Sequence, residues 1–386
     1  MKKRPLFFLY LTVFINMIGF GMVFPLIPFY AQEFGATAWE VGLLFASFSI
    51  VQFFSSPILG RISDRFGRKP VLFWGMILGS ASIFFTGIAG SLTQLFVARS
   101  LHGAVTAAVL PTARAYMADV TPPESRIAAM GKVGAAFALG FMIGPAFGSA
   151  LVGWGGIHMP FFAASLIALF NALFLWLLLP ESLAQKSEKL VIKEGIFNLF
   201  RIFSHLKSEP GILFGVLFVW SFGLSNNQVA FPLLVSSKFS LGADHIGYFF
   251  TAIALVSAVV QGGFLARIVK LLGEKPTLFA GMLLQGAGLF FIIFAPSVAI
   301  LAVSFMVAGF GSALNRPTAE GIISRLAETG QGTTLGVANS FESLGRVFGP
   351  LLGGSLYGVN PAFPFIFSAA LLWGLGVFSL RFLKVK

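Results

Sequence analysis

The sequence predicts an all-α membrane protein of twelve transmembrane helices, built as two six-helix bundles related by a parallel pseudo-twofold repeat. Three observations predict this. Hydrophobic residues make up 57% of the 386 and charged residues only 10%, against about 25% charged in an ordinary soluble domain. The apolar runs are long: "PLFFLYLTVFINMIGFGMVFPLIPFY" from Pro5 carries no charge, and about 20 such residues cross a bilayer. The chain also repeats itself. "GRKPVLFWGMIL" at Gly67 returns as "GEKPTLFAGMLL" at Gly273, an offset of 273 − 67 = 206. "PTA" at Pro111 recurs at Pro317, "FPL" at Phe24 recurs at Phe231, and "GFMIGPAFGSALVG" at Gly140 recurs as "GRVFGPLLGGSLYG" at Gly345. Matches in one order at nearly one offset indicate two homologous halves inserted the same way up.

The first run is too long for a signal peptide and lacks a small-residue cleavage site, so it reads as a helix over Leu6–Tyr30. Further spans follow over Val41–Ile62, Val71–Gly90, Leu95–Met117, Ile127–Gly153 and Pro160–Leu179. The second six run over Gly211–Val235, His245–Val269, Pro276–Ala295, Ser297–Ile322, Thr333–Gly358 and Pro361–Phe382. The domains are therefore an N-terminal bundle over 1–180, a connector over 181–210 and a C-terminal bundle over 211–386. In the connector, Ile196, Leu199, Phe200, Phe203 and Leu206 share one helical face against Asn198, Arg201, His205 and Lys207. Such a helix lies on a membrane surface; a disordered linker is the alternative.

Lys2, Lys3, Arg4, Arg126, Lys186, Lys189, Lys193, Lys270, Lys275, Arg325 and Lys384 all fall on one side of this topology, with Lys238 alone opposite. Basic residues collect in cytoplasmic loops. The +12 charge is thus topological, not a sign of nucleic-acid binding, and both ends of the chain are expected in the cytoplasm of a multi-pass plasma (cell inner) membrane protein. Cysteine is absent, and the four histidines are scattered without metal-ligand spacing. No metal, cofactor or clustered nucleophile and base is expected, which argues against a membrane-embedded enzyme.

The motifs then name a family. "GRISDRFGRKP" at Gly60 packs five charges into eleven residues between two apolar runs. It resembles the signature joining helices 2 and 3 of the major facilitator superfamily. "LFVARSLHG" resembles that family's helix 4 motif with Arg99, His102 standing where glutamine is usual. "GKVGAAFALGFMIGPAFGS" resembles the antiporter motif of helix 5, through Gly131, Gly140, Gly144, Pro145 and Gly148, with Ser149 replacing a final glycine. The same spacing returns as Gly345, Gly349, Pro350 and Gly353. "AYMADVTPPESR" and the run ending "LLLPES" are similar to the tetracycline-efflux branch of the drug:proton antiporters. The resemblance covers essentially the whole chain. It implies the major facilitator fold and proton-coupled efflux of small amphipathic organic compounds by alternating access, working as a monomer. It also implies a gating latch of Gly60, Asp64, Arg65, Gly67 and Arg68, with Asp119 as the partner of Arg65 or Arg68. One departure matters: Asn16 holds the helix 1 position that is usually aspartate in that branch, and asparagine cannot titrate.

Intramembrane charges are functional candidates by default. The basic ones are Arg99, Arg114, Arg316 and Arg346; the acidic ones are Glu320 and Glu342. Arg316 with Glu320, and Glu342 with Arg346, are four apart and can share helix faces, either as structural pairs or as working groups. Glu342, deeper in its span than Glu320, is the expected proton carrier; Arg346, Glu320, Arg99 and His102 complete the candidate coupling set. Asn16, Asn226, Asn227, Gln228, Arg114 and Arg316 are candidates for lining a substrate cavity; the amides equally fit helix bridging. Basic groups outnumber acidic ones, which favours a neutral, zwitterionic or anionic cargo over a permanent cation. A facilitator or importer of a neutral or anionic metabolite on the same fold is the alternative.

Overall fold

A computed structural model describes residues 3–122, 126–183, 211–325 and 331–383. The amphipathic segment expected in the connector lies outside the described residues. Helices dominate, and no strand occurs among the described residues. The first span is α1 (Lys3–Val23), a single 3-10 turn at Phe24–Leu26 and α2 (Ile27–Glu33). Pro25 and Pro28 lack the N–H that a continuous α-helical ladder would need there. Next come α3 (Ala38–Phe66) and α4 (Arg68–Gly87). The fourth span is α5 (Leu92–Thr106) and α6 (Val109–Val120). Their break at Ala107–Ala108 sits one turn before Pro111, whose ring collides with the carbonyl four residues back. Then come α7 (Arg126–Gly155) and α8 (Met159–Leu178).

The second half repeats the series: α9 (Gly211–Phe239), then α10 (Ala243–Val259) and α11 (Leu265–Leu272) as one span broken by a π-turn at Val260–Phe264. Adjacent Gly262 and Gly263 lie in that turn. The series closes with α12 (Glu274–Phe294), α13 (Val298–Arg325), α14 (Gln331–Val359) and α15 (Phe363–Phe382). Among the described residues, eleven helical segments are long and apolar enough to cross a membrane. The twelfth expected span, α14, is 29 residues long and carries Glu342 and Arg346 in its middle. Phe54, Trp74, Phe85, Phe170, Leu177 and Phe291 stand exposed, the normal state of side chains that meet lipid.

The chain divides into two compact units. One holds Met1–Gly35, Ser47–Phe197 and Gly242–Thr251; the other holds Ala36–Ala46, Asn198–Leu241 and Ala252–Lys386. In the first, α1 packs along α7 so closely that a Cβ on Gly140, Gly144 or Gly148 would press on backbone at Phe14, Ile18 and Met22. In the second, α9 packs along α14 in the same way, with Gly345, Gly349 and Gly353 against Phe218, Phe222 and Asn226. Small residues at one-turn spacing let membrane helices approach at backbone distance. Gly131 does not join this stripe: nothing among the described residues lies within 4 Å of where its Cβ would stand. Leu9, Val13, Leu72, Met76, Tyr116, Met117 and Leu175 fill the core where α1, α4, α6 and α8 meet.

Candidate functional site

Two charged clusters and one buried arginine carry most of the candidate chemistry. In the second unit, Arg316 of α13 points its Nε at two carboxylates: Glu342 Oε1 on α14 at 3.0 Å and Glu320 Oε1 at 3.1 Å. One N–H is thus shared between two acceptors. Arg346 Nη1 lies 3.6 Å from Glu342 Oε2 and donates from Nη2 to Ser343 Oγ at 2.8 Å. The Glu342 side chain is only 3% exposed, while those of Arg316, Glu320 and Arg346 are about two-fifths exposed. The Trp220 ring lies under the Arg316 guanidinium at 5.4 Å and donates its indole N–H to Ser312 Oγ at 2.8 Å. Two carboxylates and two guanidiniums leave the cluster neutral overall, which is how a low-dielectric interior tolerates charge.

The sequence separated these four residues into two i,i+4 pairs. Both pairs form, and they fuse, because Arg316 reaches across to α14. The stronger hold on Glu342 is therefore Arg316, and Arg346 is the outer partner. Trp220 was not among the sequence candidates; its offset from Arg316 in the chain gives no hint of the contact.

Arg99 on α5 is 1% exposed and His102 is 3% exposed. Arg99 Nη1 lies 3.3 Å from His102 Nδ1. A guanidinium only donates, so Nδ1 accepts and the ring proton sits on Nε2. The Arg99 guanidinium also rests on the Phe48 face at 4.6 Å. Its Nε and Nη2 find no partner among the described residues.

The residues expected to form a gating latch make up the other cluster, in the first unit. Arg68 is its hub. Its Nη1 meets Asp64 Oδ1 at 2.5 Å and donates to Ser63 Oγ at 2.6 Å; its Nε meets Asp119 Oδ2 at 3.2 Å. Of the two basic partners expected for Asp119, Arg68 is thus the one in place, while Arg65 is exposed over the Phe66 ring. Gly67 adopts φ of 115° between α3 and α4, a left-handed conformation costly for any other residue. Gly60 lies inside α3 with nothing among the described residues within 4 Å of a Cβ, so neither turning nor close approach explains it. A residue outside the expected set completes the cluster. Glu181 Oε1 accepts from Arg68 N at 2.9 Å, and Oε2 accepts from Lys69 N at 3.2 Å. A readable signal existed: α4 opens on Gly-Arg-Lys without a Ser, Thr, Asp or Asn cap, so its first amides need an outside acceptor.

The amide candidates separate. Asn226 is 1% exposed and donates to Pro364 O at 2.7 Å and Ser368 Oγ at 2.5 Å; it bridges α9 to α15. Asn227 is buried, and Gln228 and Asn16 are half-buried. Arg114 stands exposed on α6. A buried amide pair, Asn315 Nδ2 to Gln285 Oε1 at 2.8 Å, ties α13 to α12.

The comparisons agree with this architecture. The sequence profile of the Major Facilitator Superfamily matches residues 9–226 and again 213–386. Multidrug resistance protein 2 of Bacillus subtilis is 33% identical over 383 residues, covering 97% of this chain and 95% of that protein. The quinolone resistance protein NorA of Staphylococcus aureus is 27% identical over 365 residues, covering 93% of this chain and 91% of that one. Among solved structures, the human organic anion transporter MFSD10 superposes with a TM-score of 0.73 at 23% identity and 99% coverage of both chains; at that identity the likeness concerns the fold. The profile matches both halves in turn, and these relatives align over more than nine-tenths of both chains: the chain belongs to the Major Facilitator Superfamily.

Proposed function

We propose that this chain exports small amphipathic organic compounds from the cell in exchange for protons, and that Glu342 is the residue that carries the proton. The observation behind the proton role is a carboxylate only 3% exposed near the middle of α14 and held by two guanidiniums. The end-to-end likeness to multidrug resistance proteins supports the class of cargo. Deprotonated, Glu342 holds Arg316 and Arg346. Protonated, it loses its charge; Arg346 then keeps Ser343, and Arg316 keeps Glu320 but loses one of its two counter-charges. A cargo that offers a carbonyl, hydroxyl or anionic oxygen to Arg316 and a flat face to Trp220 would fill that deficit. Ionised Glu342 and the cargo thereby compete for one guanidinium, which couples cargo binding to the protonation of Glu342.

The repeat assignment of 1–180 and 211–386 around a 181–210 connector, cytoplasmic placement of both ends, and function as a monomer belong to the same proposal, resting on the repeated motifs and the basic-residue asymmetry. The test is growth of an efflux-deficient strain expressing the chain against a panel of amphipathic antibiotics and dyes, with dye retention followed before and after an uncoupler. Resistance together with uncoupler-sensitive export supports the reading. Export that persists undiminished without a proton gradient would leave a facilitator.

A further inference from the structure

The antiporter-motif helix α7 and the start of α10 meet through two hydroxyls, each lodged on the backbone of the other helix. Ser149 Oγ donates to Ala243 O at 2.7 Å and accepts from Gly247 N at 2.8 Å. Residues 243 and 247 are the i,i+4 pair of the first turn of α10. In return, Thr251 Oγ1 of α10 donates to Met142 O at 3.0 Å and accepts from Ala146 N at 3.1 Å. Residues 142 and 146 are an i,i+4 pair of α7, beside Pro145. Between the hydroxyls the backbones touch, so that a Cβ on Gly247 would overlap the Pro145 carbonyl. Ser149 is fully buried.

The second unit contains the repeat-related seam. Adding or subtracting the 205-residue offset of the antiporter motif (345 − 140) pairs Gly247 with Gly42, Pro145 with Pro350 and Ala243 with Ala38. The contact recurs: a Cβ on Gly42 would meet the Pro350 carbonyl, and one on Gly354 would meet the Ala38 carbonyl. The hydroxyls do not recur. Position 354, equivalent to Ser149, is glycine, and position 46, equivalent to Thr251, is alanine. One seam is therefore held by van der Waals contact together with four hydrogen bonds to backbone, the other by close backbone contact with no hydroxyl at those two positions. Ser149 is also the position at which the chain departs from its motif.

From this asymmetry we propose that Ser149 and Thr251 are positioning residues for transport. They form a hydroxyl latch that makes the α7–α10 seam the slower of the two equivalent seams to part, and so sets the rate of the conformational step that opens it. The proposal rests on the alternating-access reading above, but its test does not need the cargo.

The chain has no cysteine, so single reporters can be placed without further engineering. Ala243→Cys, at 8% exposure, reports the latched seam, and Ala46→Cys, at 0%, reports the other. Maleimide labelling of purified full-length protein in lipid nanodiscs reads the opening of each. Loss of one hydroxyl should raise the labelling rate at position 243 roughly three- to tenfold, from the usual net worth of such bonds. Ser149→Ala with Thr251→Val should raise it further, Thr251→Ser should leave it near wild type, and labelling at position 46 should not change. Export, where a cargo is known, should change in maximal rate with little change in KM. An unchanged rate at position 243 in the double variant overturns the proposal, and so does an equal rise at position 46, which would mean general loosening. If the double variant does not fold, Thr251→Val alone decides in the same way. Failure of the resistance panel with a positive labelling result would refute the cargo reading and leave the latch standing.

Discussion

Glu181 offers the sharpest perturbation outside the membrane core. Its Oε1 accepts from Arg68 N at 2.9 Å, Ser182 N at 2.9 Å and Leu183 N at 3.1 Å, while Oε2 accepts from Lys69 N at 3.2 Å. Glu181→Gln keeps one acceptor oxygen. With that oxygen in the Oε1 position, the new amide nitrogen faces Lys69 N, donor against donor. The substitution also removes a negative charge from the start of α4, worth about 0.3–1 kcal/mol at a helix N-terminus. The lost charge-assisted bond adds up to about 1.5 kcal/mol after discounting for the exposure of Glu181. The total, about 0.3–2.5 kcal/mol, corresponds to a roughly two- to seventyfold shift in a two-state equilibrium. Because Arg68 is the hub of Asp64, Ser63 and Asp119, the shift should loosen the latch and leave the bundle folded. The assay is maleimide labelling of Phe66→Cys in inside-out vesicles, alongside the melting temperature. Accelerated labelling with a near-wild-type melting temperature is expected. Labelling and export both unchanged in Glu181→Gln would refute the capping argument.

Asp64→Asn removes the 2.5 Å ion pair with Arg68; it should express normally and lose most of its export, whereas wild-type export from a well-expressed variant would dismiss the latch. Gly144→Ala sets a Cβ 2.8 Å from Gly21 Cα, and Gly349→Ala sets one 2.6 Å from Phe222 O. Each should cost about 1–3 kcal/mol by overpacking and lower yield and melting temperature; wild-type melting for both would contradict the helix packing described. For topology, Gln32→Cys, exposed at the end of α2, should react with an impermeant thiol reagent added outside intact cells, and Leu183→Cys should not. The reverse pattern would invert the chain in the membrane.

The fold was legible because membrane helices need long apolar runs and little else. Each span came within a few residues of its observed limits, and the errors lie at ends such as Val41 against Ala38, where helices continue past the apolar stretch into polar residues. The breaks were less visible. Pro25 and Pro111 do disrupt their helices, whereas Pro57 and Pro317 sit inside continuous ones, so proline alone does not say whether neighbours will satisfy the freed carbonyl. At the sites, i,i+4 spacing revealed the pairs within one helix. It was silent on the Arg316–Glu342 contact, which depends on how α13 and α14 pack. Asn226 shows the opposite limit: three amides in a row suggest a cavity, but only the position of α15 reveals that Asn226 is used to bridge helices. The pairing of hydroxyls on the α7–α10 seam likewise needed coordinates, although the serine in a glycine position marked the place.

The central claim is that Glu342 carries the proton and shares Arg316 with the cargo. The direct measurement is Glu342→Gln reconstituted into proteoliposomes, comparing equilibrium binding of a fluorescent amphipathic dye with its uphill movement under an imposed proton gradient across a range of pH. Glutamine keeps the shape and one acceptor for Arg316 but cannot release a proton. The account predicts that dye binding survives, that uphill movement collapses and that the remaining flux loses its pH dependence. Undiminished uphill movement with an unchanged pH profile would contradict it and move the search for the proton carrier to His102 beside Arg99.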